Sequence, residues 1–342
     1  MDKIRIAVDV MGGDHAPVET VKGCAAALAE GDARVHLLLV GQEDKIRAEA
    51  AKHQMDETRY EIIHAPEIIG TDEVPTTAIR RKKDSSLVVG LNLVKSGQAG
   101  AFVSAGSTGA ILTGATVIVG RIKGIERPAL ATILPNEKGW TFYIDVGANV
   151  DAKPSYLVQF AQMGSIYMES IMGIDSPSVG LVNIGAEAEK GNALTKEAYE
   201  MLAAAKGFRF AGNVEPRDLP HGAVDVAVCD AFVGNVILKY SEGFAKAMLG
   251  MIKTELTAGF WSTVGAALAK GAFGRLKKRF DYTEVGGAPF LGLNGLVVKA
   301  HGSSNAKAFK NAIRQCGNFI DKDIVKKIEQ SIQYNANQSE EA

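Results

Sequence analysis

Apolar residues recur at every second position in short stretches of this chain, and at every third or fourth position between them. Ile4, Ile6, Val8 and Val10 alternate at the start, the mark of a strand packed in a sheet. Val18 to Glu30 then reads as a helix. The strand-like pattern returns at 34–40, 60–64, 100–104, 130–134, 141–146, 179–184, 208–212, 224–228 and 296–300. Strands separated by helical segments predict an α/β fold, a doubly wound sheet with helices on both faces. No repeat or low-complexity linker divides the chain, so residues 1–334 are expected to form one large α/β unit, with room for two intertwined subdomains and a cleft between them. The polar tail 335–342 is expected to fray.

At 342 residues the chain can bury a large core. Its 38 Lys and Arg against 39 Asp and Glu give a formal charge of -1, so nucleic acid is not an expected partner. Three cysteines without CxxC spacing fit a reducing, cytoplasmic setting. No apolar run reaches the roughly 18 residues that a membrane span needs. Glycine changes the picture more: 37 residues, above the usual ~7%, gathered where the strand-like runs end. In open α/β sheets the carboxyl ends of strands form the ligand crevice, so these tips are expected to converge.

The first tip, Gly12-Gly13-Asp14, joins a strand to a helix. Paired glycines allow close backbone approach, and a helix N-terminus favours small anions; a plain tight turn uses the same residues. Ser104-Ala-Gly106-Ser107-Thr108-Gly109 offers hydroxyls and free N–H groups, either a phosphate cradle or an ordinary N-cap. Neither tip carries a Walker A lysine or a complete GxGxxG, and no cofactor is expected. Asp145 and Asn149, four apart, suit a polar substrate or an Asx-turn. In Asn183-Ile-Gly185-Ala-Glu187-Ala-Glu-Lys190 a cation precedes the helix 192–206, where the helix dipole disfavours it. A charge so placed is a candidate for stabilising phosphate or an oxyanion.

Gly234-Asn235 sets an amide at another helix start, either a donor to a carbonyl oxygen or a cap. Gly286 to Gly292 reads as one more glycine-rich loop. His301-Gly302-Ser303 then supplies the imidazole best placed for proton chemistry or phosphate contact. Asp225 and Asp230 find no third ligand at metal spacing, so no metal is expected. There is no GxSxG elbow, and no basic partner is evident for any cysteine, so direct attack by a bound substrate is the simplest mechanism. The segment 256–280 is of another kind. Leu256, Phe260, Val264 and Leu268 fall at helical spacing with Trp261 beside them, and Lys270, Arg275, Lys277, Lys278 and Arg279 follow. Such a segment suits either an anionic bilayer surface or a dimer contact.

Taken in order, the motifs at 8–17, 104–109, 145–149, 183–187, 230–235 and 286–289 resemble the bacterial phosphate acyltransferase family, PlsX, over the chain from its first strand to about Phe309. Ala231 departs from the glycine expected there. The resemblance implies transfer of a fatty acyl group from acyl-acyl carrier protein to inorganic phosphate, giving acyl phosphate for phospholipid synthesis. It implies a homodimer with a three-layer α/β/α mixed sheet like that of isocitrate and isopropylmalate dehydrogenases and phosphotransacetylases. It also implies a cytoplasmic protein peripheral to the inner face of the plasma membrane, near the membrane-bound glycerol-3-phosphate acyltransferase that uses acyl phosphate. On this reading Lys190 and Asn235 stabilise charge at the reacting centre, and the 12–14, 104–109 and 301–303 loops position phosphate, with Asp14 fixing its loop by hydrogen bonds. The competing readings are an NAD-dependent β-decarboxylating dehydrogenase of the same fold, and a non-catalytic carrier-protein scaffold at the membrane.

Overall fold

Eleven short apolar stretches pair into one sheet in the computed structural model, which describes residues 3–340. The strands are β1 (Ile4–Asp9), β2 (Val35–Gly41), β3 (Tyr60–His64), β4 (Ala101–Ser104), β5 (Ala129–Pro135), β6 (Trp140–Ile144), β7 (Ser178–Val182), β8 (Arg209–Val214), β9 (Val226–Val228), β10 (Ala288–Leu291) and β11 (Leu296–Lys299). Their spatial order is β3-β2-β1-β4-β11-β10-β5-β6-β9-β7-β8. The helices between them are α1 (Val18–Glu30), α2 (Glu43–Lys52), α3 (Pro75–Arg81), α4 (Ser86–Lys95), α5 (Thr108–Gly114), α6 (Pro154–Met172), α7 (Ala193–Ala204), α8 (Ala231–Leu256), α9 (Phe260–Arg279), α10 (Tyr282–Val285), α11 (Ala306–Asp321) and α12 (Ile324–Glu340). None is long and apolar enough to cross a membrane among the described residues.

Period-two patterning sorts the core into two layers. Ile4, Ile6, Val8 and Val10 pack on one face with Val21, Cys24 and Leu28 of α1 and Phe309 and Ile313 of α11. Ala7 belongs to the other face, with Leu87 and Leu91 of α4 and Ile111 of α5. Helices thus cover both faces of a mixed sheet, the three-layer α/β/α architecture that alternating elements predict.

The strand directions correct the expectation of a single row of converging tips. β3, β2, β1, β4 and β11 run parallel, and so do β6, β9, β7 and β8. Between the two groups lie three antiparallel steps, β11 to β10, β10 to β5 and β5 to β6. An odd number of reversals sends the carboxyl ends of the two groups out of the sheet in opposite senses. One strand of that reversal, β10, lies in the stretch 286–292 that reads as a loop from its glycines and Pro289. Phe290 and Leu291 are buried there, and burial between two partners outweighs the poor strand propensity of glycine and proline. The described chain ends in a long helix. α12 continues to Glu340, anchored by Ile324, Ile328 and Ile332 packed in the core, while residues 341–342 lie outside the described residues.

Candidate active site

Three loops meet at the carboxyl ends of β1, β4 and β11, and a buried carboxylate at the end of β1 pins the first two. Asp9 Oδ1 accepts from Met11 N at 3.1 Å, and Oδ2 accepts from Ser104 Oγ at 2.7 Å. Ser104 Oγ in turn accepts from Gly106 N at 3.0 Å. A Cβ at Gly12 would stand 2.6 Å from Asp9 Oδ2 and 2.9 Å from Gly106 N, so only glycine lets the first two loops lie against each other. Gly13 has φ +103° and faces Gly302 O, and Asp14 N donates to Gly302 O at 2.8 Å. The third loop is thereby tied to the first, and in it His301 Nδ1 lies 2.8 Å from Ser303 Oγ. Ser107, Thr108 and Gly109 follow β4, half-buried at the start of α5; Ser107 makes no side-chain cap there.

Asp14 ties its loop to the third through its backbone N–H and not through its side chain. Its carboxylate is exposed and accepts no hydrogen bond among the described residues; the loop is fixed by Asp9, which sequence reasoning passed over as the last residue of a strand. Lys299 is the second omission. It closes β11 opposite Ser104 of β4 and Ala288 of β10, and its ammonium donates to Ala300 O and, at 3.5 Å, to Ala105 O. Burial pushes this ammonium down to about 8, against the opposing pull of Asp14 and Asp9. The available signal was a lysine interrupting a buried apolar run at a strand tip.

The second group of loops leaves the neighbouring parallel strands β6, β9 and β7. Asp145, directly after β6, is fully buried; Oδ1 accepts from Leu130 N, Gly147 N and Ala148 N at 3.2, 2.9 and 2.9 Å. Oδ2 accepts from Asn149 N and Asn149 Nδ2 at 2.8 and 2.7 Å. Burial raises the carboxyl's pKa while these donors hold it back. Asn149 Nδ2 also donates to Pro128 O. Of the two readings open for this pair, a closed turn is the one the geometry favours: Asp145 frames its loop and has no oxygen left over for a polar substrate.

Gly234 packs on that frame so closely that a Cβ would meet Asp145 O at 1.9 Å. Asn235, one residue on, donates from Nδ2 to Val146 O at 3.0 Å. Asp230 caps α8 by accepting from Val233 N. Next to it, Asn183 turns inward, Nδ2 donating to Lys190 O and Oδ1 accepting from Ile184 N. Glu187 is exposed, its carbonyl held by Asn213 Nδ2. The Lys190 stem lies over Gly185 and its side chain is exposed. Asn192, not Lys190, caps α7.

α8 connects the two groups. It starts at the Asp145 turn, and Glu242 farther along is raised by desolvation and drawn back down by the nearby charges of His301 and Lys239. Asn235 and Glu242 are seven residues apart, about 10 Å of helical rise. His301 of the third loop therefore acts on α8 at Glu242, about two turns along the helix from the Asn235 turn.

The family model described as fatty acid synthesis protein matches residues 4–327. A phosphate acyltransferase from Clostridium perfringens is 54% identical over 329 residues, 96% of this chain and 97% of that protein. One from Clostridium botulinum is 53% identical over 327 residues, again 96% and 97%. This chain belongs to the phosphate acyltransferase family, PlsX. Among solved structures, a phosphotransacetylase from Streptococcus pyogenes superposes with TM-score 0.64 at 19% identity, covering 93% of this chain and 94% of that one. A 4-hydroxythreonine-4-phosphate dehydrogenase from Klebsiella pneumoniae follows at TM-score 0.51 and 13% identity, covering 96% and 100%. Both likenesses are of fold.

As a phosphate acyltransferase, the chain is an enzyme that transfers acyl groups, and its thiols are poor nucleophiles for that task. Cys24 is pushed up to about 12 by burial, and Cys316 and Cys229 are raised by burial as well. A thiol held protonated does not attack a thioester. No group of three or more His, Cys, Asp or Glu side chains is placed to hold a metal ion among the described residues.

Proposed function

We propose that this phosphate acyltransferase takes a fatty acyl group from acyl-acyl carrier protein and gives acyl phosphate for phospholipid synthesis. An oxygen of hydrogen phosphate forms the bond to the acyl carbon, the carbon–sulfur bond breaks, and the phosphate proton ends on the carrier's sulfur. Such a reaction needs one anion held, a second stabilised as it forms, and water kept away. The observation that carries the reading is the pairing of three interlocked glycine loops beside Lys299, two pinned by Asp9 and the third tied on through Asp14 N, with the Asn235 turn farther back along α8. In this reading the 12–14, 104–109 and 301–303 loops hold phosphate, while Asn235 and Lys190 stabilise the developing oxyanion. The test is to incubate the purified protein with acyl-acyl carrier protein and phosphate and trap product with hydroxylamine. Phosphate-dependent hydroxamate is expected. Carrier binding without thioester loss would favour the scaffold, and NADH formation in a parallel incubation with NAD and a 2-hydroxy acid would favour the dehydrogenase.

The same reading includes a homodimer at a membrane surface, next to the glycerol-3-phosphate acyltransferase that consumes the product. Phe232, Val236, Tyr240, Phe244, Met248 and Met251 are exposed at three- to four-residue spacing on α8. That stripe is longer than one contact patch on a monomer normally is, and a second copy would cover it. α9 carries Phe260, Trp261 (81% exposed) and Leu268 (86% exposed), with Val264 less so. These side chains share one exposed face, as a lipid-contacting helix requires. Part of the basic cluster is committed elsewhere: Arg279 donates to Asn136 O and Glu137 O, and Lys278 pairs with Glu284 at 3.9 Å. Changing Phe260, Trp261 and Leu268 together to Ser should release the protein from anionic liposomes in a flotation assay and leave activity in solution intact. Undiminished flotation would refute the membrane role.

A further inference from the structure

We propose that Lys299 is the cation that grips inorganic phosphate in the loops after β1, β4 and β11, an assignment that rests on the acyl-transfer reading above. Other part-buried lysines of this chain are neutralised where they lie. Lys307 pairs with Asp281 and Glu284 at 2.9 and 2.8 Å, and Lys82 with Glu73 at 2.7 Å. Lys299 has no carboxylate within ion-pair distance among the described residues, and its ammonium donates to the carbonyls of Ala105 and Ala300.

Taking an ammonium out of water without a counter-ion is costly unless a charge arrives to offset it. The site lies among loops whose amides and hydroxyls suit a phosphoryl group, and two carbonyls use two of the ammonium's three N–H donors. The third is left for a phosphate oxygen. Asp14 and Asp9 are the ionisable groups whose charge acts on it. They lie on the loop after β1 and at the end of that strand; the residues of β4 and β10 opposite Lys299, Ser104 and Ala288, carry no charge. Asp14 keeps the ammonium charged from a distance and leaves its face to the ligand.

The test is the pH dependence of inorganic phosphate binding, measured by calorimetry without carrier protein, beside the hydroxylamine assay. Because burial holds Lys299 near 8, wild-type affinity should fall as pH rises through about 8, as the ammonium loses its proton. Lys299→Arg, charged throughout, should lack that limb. Lys299→Met should bind phosphate about 10- to 100-fold more weakly at pH 7, the worth of a charge-assisted hydrogen bond. Asp14→Asn, at an exposed position that endangers no fold, should move the limb to lower pH, since Asp14 raises the lysine. An unmoved limb in Asp14→Asn, or phosphate affinity unchanged in folded Lys299→Met, would overturn the assignment. So would weakening confined to carrier binding, which would give the cation to the carrier arm's phosphodiester. Wild-type protein that binds phosphate with this pH profile yet yields no hydroxamate would overturn the transfer reading and leave Lys299 as an anion contact.

Discussion

Asp145→Ala is expected to destabilise the protein by about 3–5 kcal/mol, the usual cost of breaking a buried charged network. Five donors converge on this carboxylate, three on Oδ1 and two on Oδ2. Alanine leaves the N–H groups of Leu130, Gly147, Ala148 and Asn149 without their acceptor in a half-buried turn, and a fully buried unsatisfied group, as at Leu130 N, costs about 1–3 kcal/mol before relaxation. Asp145→Asn should fall between wild type and alanine. Its carbonyl can serve one set of donors, but its amide then faces the N–H groups of Asn149. The effect should reach the site, because Gly234 packs on Asp145 O and Asn235 bonds to Val146 O. Urea denaturation followed by circular dichroism measures this. A midpoint for Asp145→Ala equivalent to less than about 1 kcal/mol of loss would mean that the turn holds without its carboxylate.

Lys190→Ala and Asn235→Ala should each lower turnover by about 10²–10³ at saturating phosphate, as removal of one oxyanion donor typically does. Neither should unfold the chain. The Lys190 side chain is exposed, and its loop is held through backbone atoms by Asn183 and Asn213. Asn235→Ala gives up one bond to Val146 O, worth about 1 kcal/mol. If both side chains stabilise the same developing charge, their effects should couple, so that the double variant is slower than either single one but loses less than the product of the two single losses. Initial rates of hydroxamate formation, with thermal melts as a check on folding, decide the matter. Near-normal turnover in both single variants would remove them from the reacting centre.

Much of the fold is legible along the chain because its periodicities are strong. The alternation through Ile4, Ile6, Val8 and Val10 assigns β1 to its face, and the helix expected at Val18–Glu30 has those bounds in the structure. Glycines near strand ends mark the loops, since close approach leaves no room for a Cβ at Gly12 or, in the first turn of α8, at Gly234. What periodicity cannot carry is direction. β10 hides in a stretch rich in glycine and proline, so periodicity by itself does not show where the sheet reverses; the mixed sheet is implied by the family resemblance. Three antiparallel steps depend on pairing between residues far apart in sequence, such as Phe290 with Leu130.

By itself, then, the sequence determined the α/β class, the glycine-marked loops and the family, because these rest on local pattern and on motifs in order. Only the tertiary structure decided which polar groups are frame and which are free to act. Asp145 and Asp9 look like ligand contacts or ordinary strand ends until the amides and hydroxyls that they hold are seen. Lys299 looks like the last residue of a strand until β4, β10 and the loop after β1 close around it. Burial and long-range hydrogen bonding are properties of the folded chain, and they set the charge and the partners of each side chain.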